Sequence, residues 1–190
     1  MLPPGGRVRV KGVLSIMRVT AGRKKEIFKG RIISLSLEEV ALPQQTVEME
    51  CISHPGGAAV VPLLPDGSVV MIEQYRYLAG DFIWEIPAGR LEPGEDPRVC
   101  AARELEEEAG YRARSMEQLA AIYSAPAYSR EIISIFLARG LTPGTQRLEA
   151  DEMIRVVTLP IADAIRKVRA SKVADAKTLT GLLLTMQYAG

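Results

Sequence analysis

Three glutamates, Glu104, Glu107 and Glu108, stand at i, i+3 and i+4 in a stretch patterned as a helix, so their carboxylates share one face. Like charges at that spacing destabilise an isolated helix by roughly a few tenths of a kcal/mol per pair. A hard divalent cation removes the penalty. Mg²⁺ takes oxygen ligands in octahedral geometry and is commonly shared between a few carboxylates and substrate phosphates. Arg103 can pair with Glu107 four residues on and fix one carboxylate. Upstream lie Gly89 and Gly94, in a loop whose backbone can approach a phosphate or metal closely. The acidic run alone also reads as a solvated helix face; loop and helix together point to metal and phosphate chemistry.

The elements that must position this group follow from local signals. Residues 97–109 form the clearest helix: Asp96 can cap it, Pro97 suits its first turn, and Gly110 sits where a helix ends. Ala102, Leu105 and Ala109 are its expected apolar stripe, opposite the carboxylates. Apolar runs at 58–64 and 68–74, separated by Pro65-Asp66-Gly67, predict a hairpin. Residues 82–86 read as a short strand and 87–96 as a loop. Further strands are expected at 119–123, 132–138 and 153–159, and helices at 161–170 and 174–188. Ahead of these, 26–40 and 46–53 read as two strands joined at Leu42-Pro43-Gln44-Gln45, a small antiparallel sheet of their own. His54-Pro55-Gly56-Gly57 breaks the pattern, so residues 1–55 are expected as an N-terminal strand region and 56–190 as the principal domain. Pro3-Pro4-Gly5-Gly6 suggests a loosely ordered start, over residues 1–25.

Composition bounds the function classes. The chain has 190 residues, 47% hydrophobic and 25% charged, with 24 Lys plus Arg, 23 Asp plus Glu and one His, as in an ordinary globular protein. No apolar run approaches the ~20 residues that cross a bilayer, so no membrane partner is expected. Cys51 and Cys100 are too few for a disulfide scaffold and lack zinc-ligand spacing, so a reducing, cytoplasmic setting is the default. Charge is unevenly spread. Residues 1–31 carry nine basic side chains (Arg7, Arg9, Lys11, Arg18, Arg23, Lys24, Lys25, Lys29, Arg31) against Glu26, which leaves the remainder 15 basic and 22 acidic. That arm reads as a solvated or partner-facing segment rather than a nucleic-acid contact. No apolar run of signal-peptide length follows it, and its Pro and Gly residues oppose an amphipathic transit helix.

Gly89, Glu95, Arg103, Glu104, Leu105, Glu107, Glu108, Gly110 and Tyr111 match every fixed position of the Nudix box, G-x5-E-x7-R-E-U-x-E-E-x-G-U. At average residue frequencies this arises by chance on the order of once in 10⁹ start points. The chain therefore resembles the Nudix hydrolases, which implies an α/β/α sandwich around a mixed sheet and hydrolysis of a nucleoside diphosphate linked to another moiety, with Mg²⁺ or Mn²⁺. Residues 54–188 are similar, more narrowly, to the ADP-ribose pyrophosphatase branch. Gln74-Tyr-Arg-Tyr77 and Trp84-Glu-Ile-Pro-Ala-Gly89 look like its approach to the box, and Pro126 lies at the branch's marker position after Gly110. Ser124-Ala-Pro-Ala-Tyr-Ser-Arg-Glu131 resembles its serine-proline-glycine loop, with Ala127 in place of the usual Gly. Asp175-Ala-Lys-Thr-Leu179 is similar to the start of its last helix.

The resemblance implies roles. Glu104, Glu108 and the Ala88 carbonyl would hold the metal, with Glu107 a ligand directly or through water. Arg76 would clamp phosphate, although its stem could simply cover apolar surface, and Glu85 would be an acid that either supports the groups around the site or faces the substrate. The branch takes a catalytic glutamate from an acidic cluster before a late strand. Here that cluster is Glu149-Ala150-Asp151-Glu152, and the usual position of the base holds Ala150. Glu152, Glu149 or a box-helix acid remains for the role, with Glu152 favoured. Glu131 is a substrate-side candidate or a loop ion pair, and Phe28 a candidate for stacking adenine. His54 reads as a turn residue, Trp84 and Phe82 as core packing, and Cys100 as a small buried hydrophobe. In the branch the N-terminal sheet is exchanged across a homodimer and helps hold adenosine, which residues 26–53 would fit. The implied activity is hydrolysis of ADP-ribose to AMP and ribose 5-phosphate. The alternatives are another nucleoside diphosphate sugar or nucleotide, or a non-catalytic nucleotide sensor.

Overall fold

The computed structural model describes residues 19–188; Arg7, Arg9, Lys11, Arg18 and the Pro3-Pro4-Gly5-Gly6 run lie outside them. The chain forms two compact units, one running to His54 and including Ala125–Glu131, the other comprising Pro55–Ser124 and Ile132–Gly190.

In the first unit, β1 (Thr20–Lys29), β2 (Ser34–Ala41) and β3 (Thr46–Ser53) make an antiparallel sheet in the order β1-β2-β3. The strand expected over 26–40 is thus two strands, and the expected pair is a three-stranded sheet. Gly30 supplies the reason: its N–H donates to the Ile33 carbonyl at 2.8 Å, and a Cβ there would lie 2.8 Å from the Phe28 ring. A residue with a side chain would have to displace that ring, so the chain turns where the β pattern runs on. Residues 20–25, expected to be loose, are the first half of β1.

In the second unit, β4 (Gly57–Pro62), β5 (Ser68–Arg76), β6 (Asp81–Glu85), β7 (Ala88–Arg90), α1 (Pro97–Ala109), β8 (Tyr111–Tyr123), β9 (Ile132–Pro143), β10 (Ile154–Pro160), α2 (Ile161–Ala170) and α3 (Ala176–Tyr188) follow in order. They build one sheet ordered β7-β4-β9-β8, with β4 and β9 parallel, and another ordered β10-β5-β6. Side chains alternate between two cores, as the strand period requires. Ala59, Val61, Val69, Met71, Ile135 and Leu137 pack with Ala164, Ile165 and Val168 of α2 and Leu182 of α3. Ala58, Val60, Val70, Phe136 and Ala138 pack with Cys100, Ala101, Leu105 and Ala109 of α1. Burial on both faces explains why these strands are nearly continuous apolar runs. No helix among the described residues is long and apolar enough to cross a membrane.

α1 has the expected bounds. The Asp96 carboxylate accepts the Arg98 N–H at 2.8 Å, and Gly110 ends the helix in the left-handed region, at φ 72°. Its buried stripe differs from expectation: Ala102 is exposed, whereas Cys100, Ala101, Leu105 and Ala109 are buried together with Glu104 and Glu108. The carboxylates do not oppose the apolar stripe; they flank it. Positions 101, 104, 105 and 108 lie along one side of a 3.6-residue helix, so packing the stripe on the sheet carries two glutamates inward.

Candidate active site

The loop before α1 and the helix itself hold each other by carboxylates. Glu108, 2% exposed, accepts the Ala88 N–H at 2.8 Å. Ala88 lies on β7, the edge of its sheet. In the β4–β7 register Ala59 faces Ala88, and the flanking bond runs from the Val60 N–H to the Pro87 carbonyl. That bond marks Ala59–Ala88 as the non-hydrogen-bonded kind of pair, so the N–H and C=O of Ala88 both leave the ladder on the side of Glu108. Gly89 follows, and here the glycine is obligatory for contact rather than conformation. A Cβ would fall 1.8 Å from Glu104 Oε1, in space the carboxylate already occupies.

Arg103 organises the remaining acids. It donates to Glu95 through Nε (3.0 Å) and Nη2 (3.2 Å), and through Nη1 to Glu104 Oε1 (2.6 Å) and Glu107 Oε2 (3.0 Å). The expected Arg103–Glu107 pair is therefore one arm of a three-carboxylate hub. The Glu95 hydrogen bond is the main influence holding Arg103 above its ordinary pKa, and Arg103 holds Glu95 below its own. Cys100 lies fully buried beneath, its thiol pushed up to about 12 by burial and by Glu95 and Glu104.

Glu104 and Glu108 are both raised. Burial leads in each; for Glu108 the Ala88 N–H opposes it, while Glu104, Glu152 and Glu85 add like charge, and the group reaches about 8. Glu152 thus belongs to the electrostatics of this site. Its carboxylate turns back to accept the Glu149 N–H at 2.8 Å; Glu149 itself is exposed.

Among the described residues no three His, Cys, Asp or Glu side chains converge as a ready metal cage. Glu104 and Glu107 instead bond Arg103, and Glu108 accepts the Ala88 N–H. The donor set still fits a hard divalent ion. It is all oxygen, and Mg²⁺ or Mn²⁺ needs only one or two carboxylates with water and phosphate making up the rest. Glu104 Oε2 and Glu108 Oε1 accept no hydrogen bond among the described residues.

A second group adjoins this one. Glu85, 1% exposed, receives Arg76 Nε on Oε1 at 2.7 Å and Nη2 on Oε2 at 2.9 Å. Oε2 also takes the Lys177 ammonium, which lies 3.1 Å from Asp175 Oδ1. Burial would raise Glu85, but Arg76 and Lys177 outweigh it and hold the carboxyl below its usual range. Arg76 is thus a fork on Glu85, and its Nη1 bears no bond among the described residues. The charge of Glu108 reaches it. Gln74, two residues earlier on β5, is buried with its Oε1 unpartnered. Lys177 escaped the sequence reading as a functional residue; its position in the first turn of a helix that opens Asp-Ala-Lys-Thr was the available signal.

Phe28 and Glu131 belong to the first unit. Phe28 is 55% exposed on β1. Glu131 Oε1 lies 3.3 Å from His54 Nδ1, a contact that is an ion pair only when the imidazole is protonated. In the same unit Arg130 donates to both oxygens of Glu38, at 3.0 and 2.6 Å, tying residues 125–131 to β2.

The NUDIX domain family matches residues 53–180. The chain is 39% identical to the methanol dehydrogenase activator of Bacillus methanolicus, over 87% of this chain and 89% of that one. It is also 39% identical to the ADP-ribose pyrophosphatase of Bacillus subtilis (strain 168), over 82% and 85%. A crystal structure of an ADP compounds hydrolase superposes with a TM-score of 0.80 at 20% identity, covering 93% of this chain and 96% of that one. The last shows the fold: the mixed-sheet α/β architecture expected from the sequence.

Proposed function

The chain belongs to the NUDIX domain family, and from that premise we propose that it is an ADP-ribose pyrophosphatase, hydrolysing the diphosphate of ADP-ribose to AMP and ribose 5-phosphate. The observation that carries the chemistry is the interlock of loop and helix: Glu104 fills the place of a Gly89 side chain, and the Ala88 N–H holds Glu108. The likeness to the Bacillus subtilis pyrophosphatase supports the substrate.

Glu104 and Glu108 would hold the divalent ion, Mg²⁺ in this reading with Mn²⁺ as a substitute, with the Ala88 carbonyl, and Glu107 directly or through water. When bound, that ion supplies charge neutralisation on the diphosphate and a more acidic water. The protein's own part is positioning and proton transfer. Arg76 offers its Nη1 edge to a phosphate oxygen, while Glu85 fixes the guanidinium plane, as bidentate pairing does. Glu152 is the general base: its carboxylate takes the proton of the attacking water as the new P–O bond forms and the bridging P–O bond breaks. Arg103 keeps Glu95, Glu104 and Glu107 from scattering by mutual repulsion.

The working unit in this proposal is a homodimer in the cytoplasm. β1 is exposed along its whole length and carries Ile27 and Phe28, the latter proposed to meet the adenine, and both cysteines are free thiols. Light scattering on the purified protein tests the dimer. For the activity, ADP-ribose, ADP-glucose, diadenosine compounds and nucleoside triphosphates are compared with Mg²⁺ and with Mn²⁺. Preference for ADP-ribose supports the reading; turnover of another compound alone overturns the substrate, and silence with both ions overturns the enzyme.

A further inference from the structure

Arg76 has a carboxylate directly opposite it and does not use it. In the β5–β6 register Arg76 faces Asp81, whereas Glu85 faces Ile72. The guanidinium therefore reaches back along the sheet, past the Gln74–Ile83 pair, to bond Glu85. Asp81 meanwhile accepts the Phe82 N–H at 2.7 Å. A third acid, Asp175, is close enough for its charge to act on Arg76. The charges of Glu85, Glu108 and Asp175 all act on the guanidinium, and it bonds only Glu85.

Lys177 stands between two of these carboxylates. Its ammonium touches Glu85 Oε2 and lies 3.1 Å from Asp175 Oδ1, with the side chain only 12% exposed. Arg76, Glu85, Lys177 and Asp175 form a row of alternating charge with no net charge. The row is anchored by backbone. Asp175 Oδ2 accepts the Thr178 N–H at 3.0 Å, and Thr178 Oγ1 accepts the Ile86 N–H at 2.9 Å. One turn of α3 is thereby pinned to the residue after Glu85, and Lys177 has no freedom to drift.

We propose that Lys177 is a positioning residue for phosphate recognition, which neutralises Asp175 and so confines Arg76 to Glu85 with its Nη1 edge toward the diphosphate. The inference rests on the reading of Arg76 as a phosphate contact. Without Lys177, Asp175 loses its cation while Glu85 keeps Arg76, so Asp175 competes with Glu85 for the one guanidinium and draws it between them. That movement withdraws it from the side of Glu108.

The variants are K177M, K177R, D175N/K177M, R76K and R76K/K177M, and the readouts are KM and kcat with Mg²⁺. Calorimetric binding of ADP in EDTA is the third. K177M is expected to raise KM about tenfold or more, the scale of one displaced charged hydrogen bond, and to weaken ADP binding in parallel, with kcat within about threefold. K177R restores the wild-type values. D175N/K177M does too, since Asn still caps the helix and the competing charge is gone. In the R76K background K177M has no further effect. Unchanged KM in folded K177M, a D175N/K177M variant as poor as K177M, or effects additive with R76K each overturn the proposal. If K177M does not fold, K177Q, which keeps amide donors to both acids, carries the same expectations. Wild-type turnover decides the substrate reading separately, because ADP binding in EDTA does not depend on which nucleotide is hydrolysed.

Discussion

Replacing Gly89 by Ala puts a methyl group 1.8 Å from Glu104 Oε1, 2.1 Å from its Cδ and 2.8 Å from Oε2. Ordinary contact begins at 3.4 Å, so the carboxylate must retreat by about 1.6 Å. Gly89 is not among the positive-φ glycines, so the backbone tolerates alanine. What yields is the end of a flexible side chain, at about 0.5–1.5 kcal/mol for an off-rotamer shift. In a domain of this size that lowers Tm by roughly 1–6 °C. Catalysis is far less forgiving, because a metal–oxygen bond near 2.1 Å cannot follow such a displacement. A misplacement above ~1 Å is expected to lower turnover about a hundredfold or more. The assay pairs steady-state turnover across Mg²⁺ concentrations with thermal melts in EDTA. G89A should melt only a few degrees below the wild type, yet need much more Mg²⁺ and stay slow at saturation. G89A/E104D, with its carboxylate drawn back by about one C–C bond of ~1.5 Å, should regain the lost Tm without regaining activity. A G89A enzyme with unaltered Mg²⁺ half-saturation and kcat would falsify the assignment of Glu104 as a ligand held against the box glycine.

Other outcomes follow from the same geometry. Glu108→Gln keeps the Ala88 bond but loses the anionic oxygen, so metal-dependent turnover should vanish with the melting curve preserved; residual activity within about tenfold of wild type contradicts the ligand role. Glu152→Gln should lower kcat by about 10²–10⁴-fold with KM little changed, and Glu149→Gln should not; the reverse pattern moves the base to Glu149. Thr178→Val removes the buried acceptor of the Ile86 N–H and should destabilise the protein by about 1–3 kcal/mol in chemical denaturation. Glu38 is held at about 2, first by Arg130, against burial and with help from Ser36 and Lys24. A lowered folded pKa means its stabilisation is complete above the unfolded value and is lost as pH falls from about 4.5 toward 2. Because Arg130 is 54% exposed, screening reduces the pair to about 1 kcal/mol. Glu38→Gln should therefore be less stable than wild type at pH 7 and converge on it near pH 2; parallel curves across that range refute the pair as a stabiliser.

Residues close in sequence carried much of this protein openly. Asp96, Pro97 and Gly110 bound α1 because capping and left-handed backbone are local properties, and the i, i+3, i+4 spacing alone aligned three carboxylates. The apolar runs of β4 and β5 were legible for the same reason, and so was the box that marks the family. Packing decided the rest. Which side of α1 turned inward depended on the sheet beneath it, so Glu104 and Glu108 became buried and Ala102 did not. The turn at Gly30 was hidden because β-branched residues on both sides continue a strand pattern, and only the Phe28 ring shows why a side chain is excluded. Residues 125–131 joined the N-terminal sheet through Arg130 and Glu38, 92 residues apart. Lys177 met Glu85 across the same separation of 92. Short-range spacing fixes which groups can share a helix face; which distant charge arrives to neutralise a buried one is set when strands and helices close over the core, where low solvation makes every unpaired charge costly.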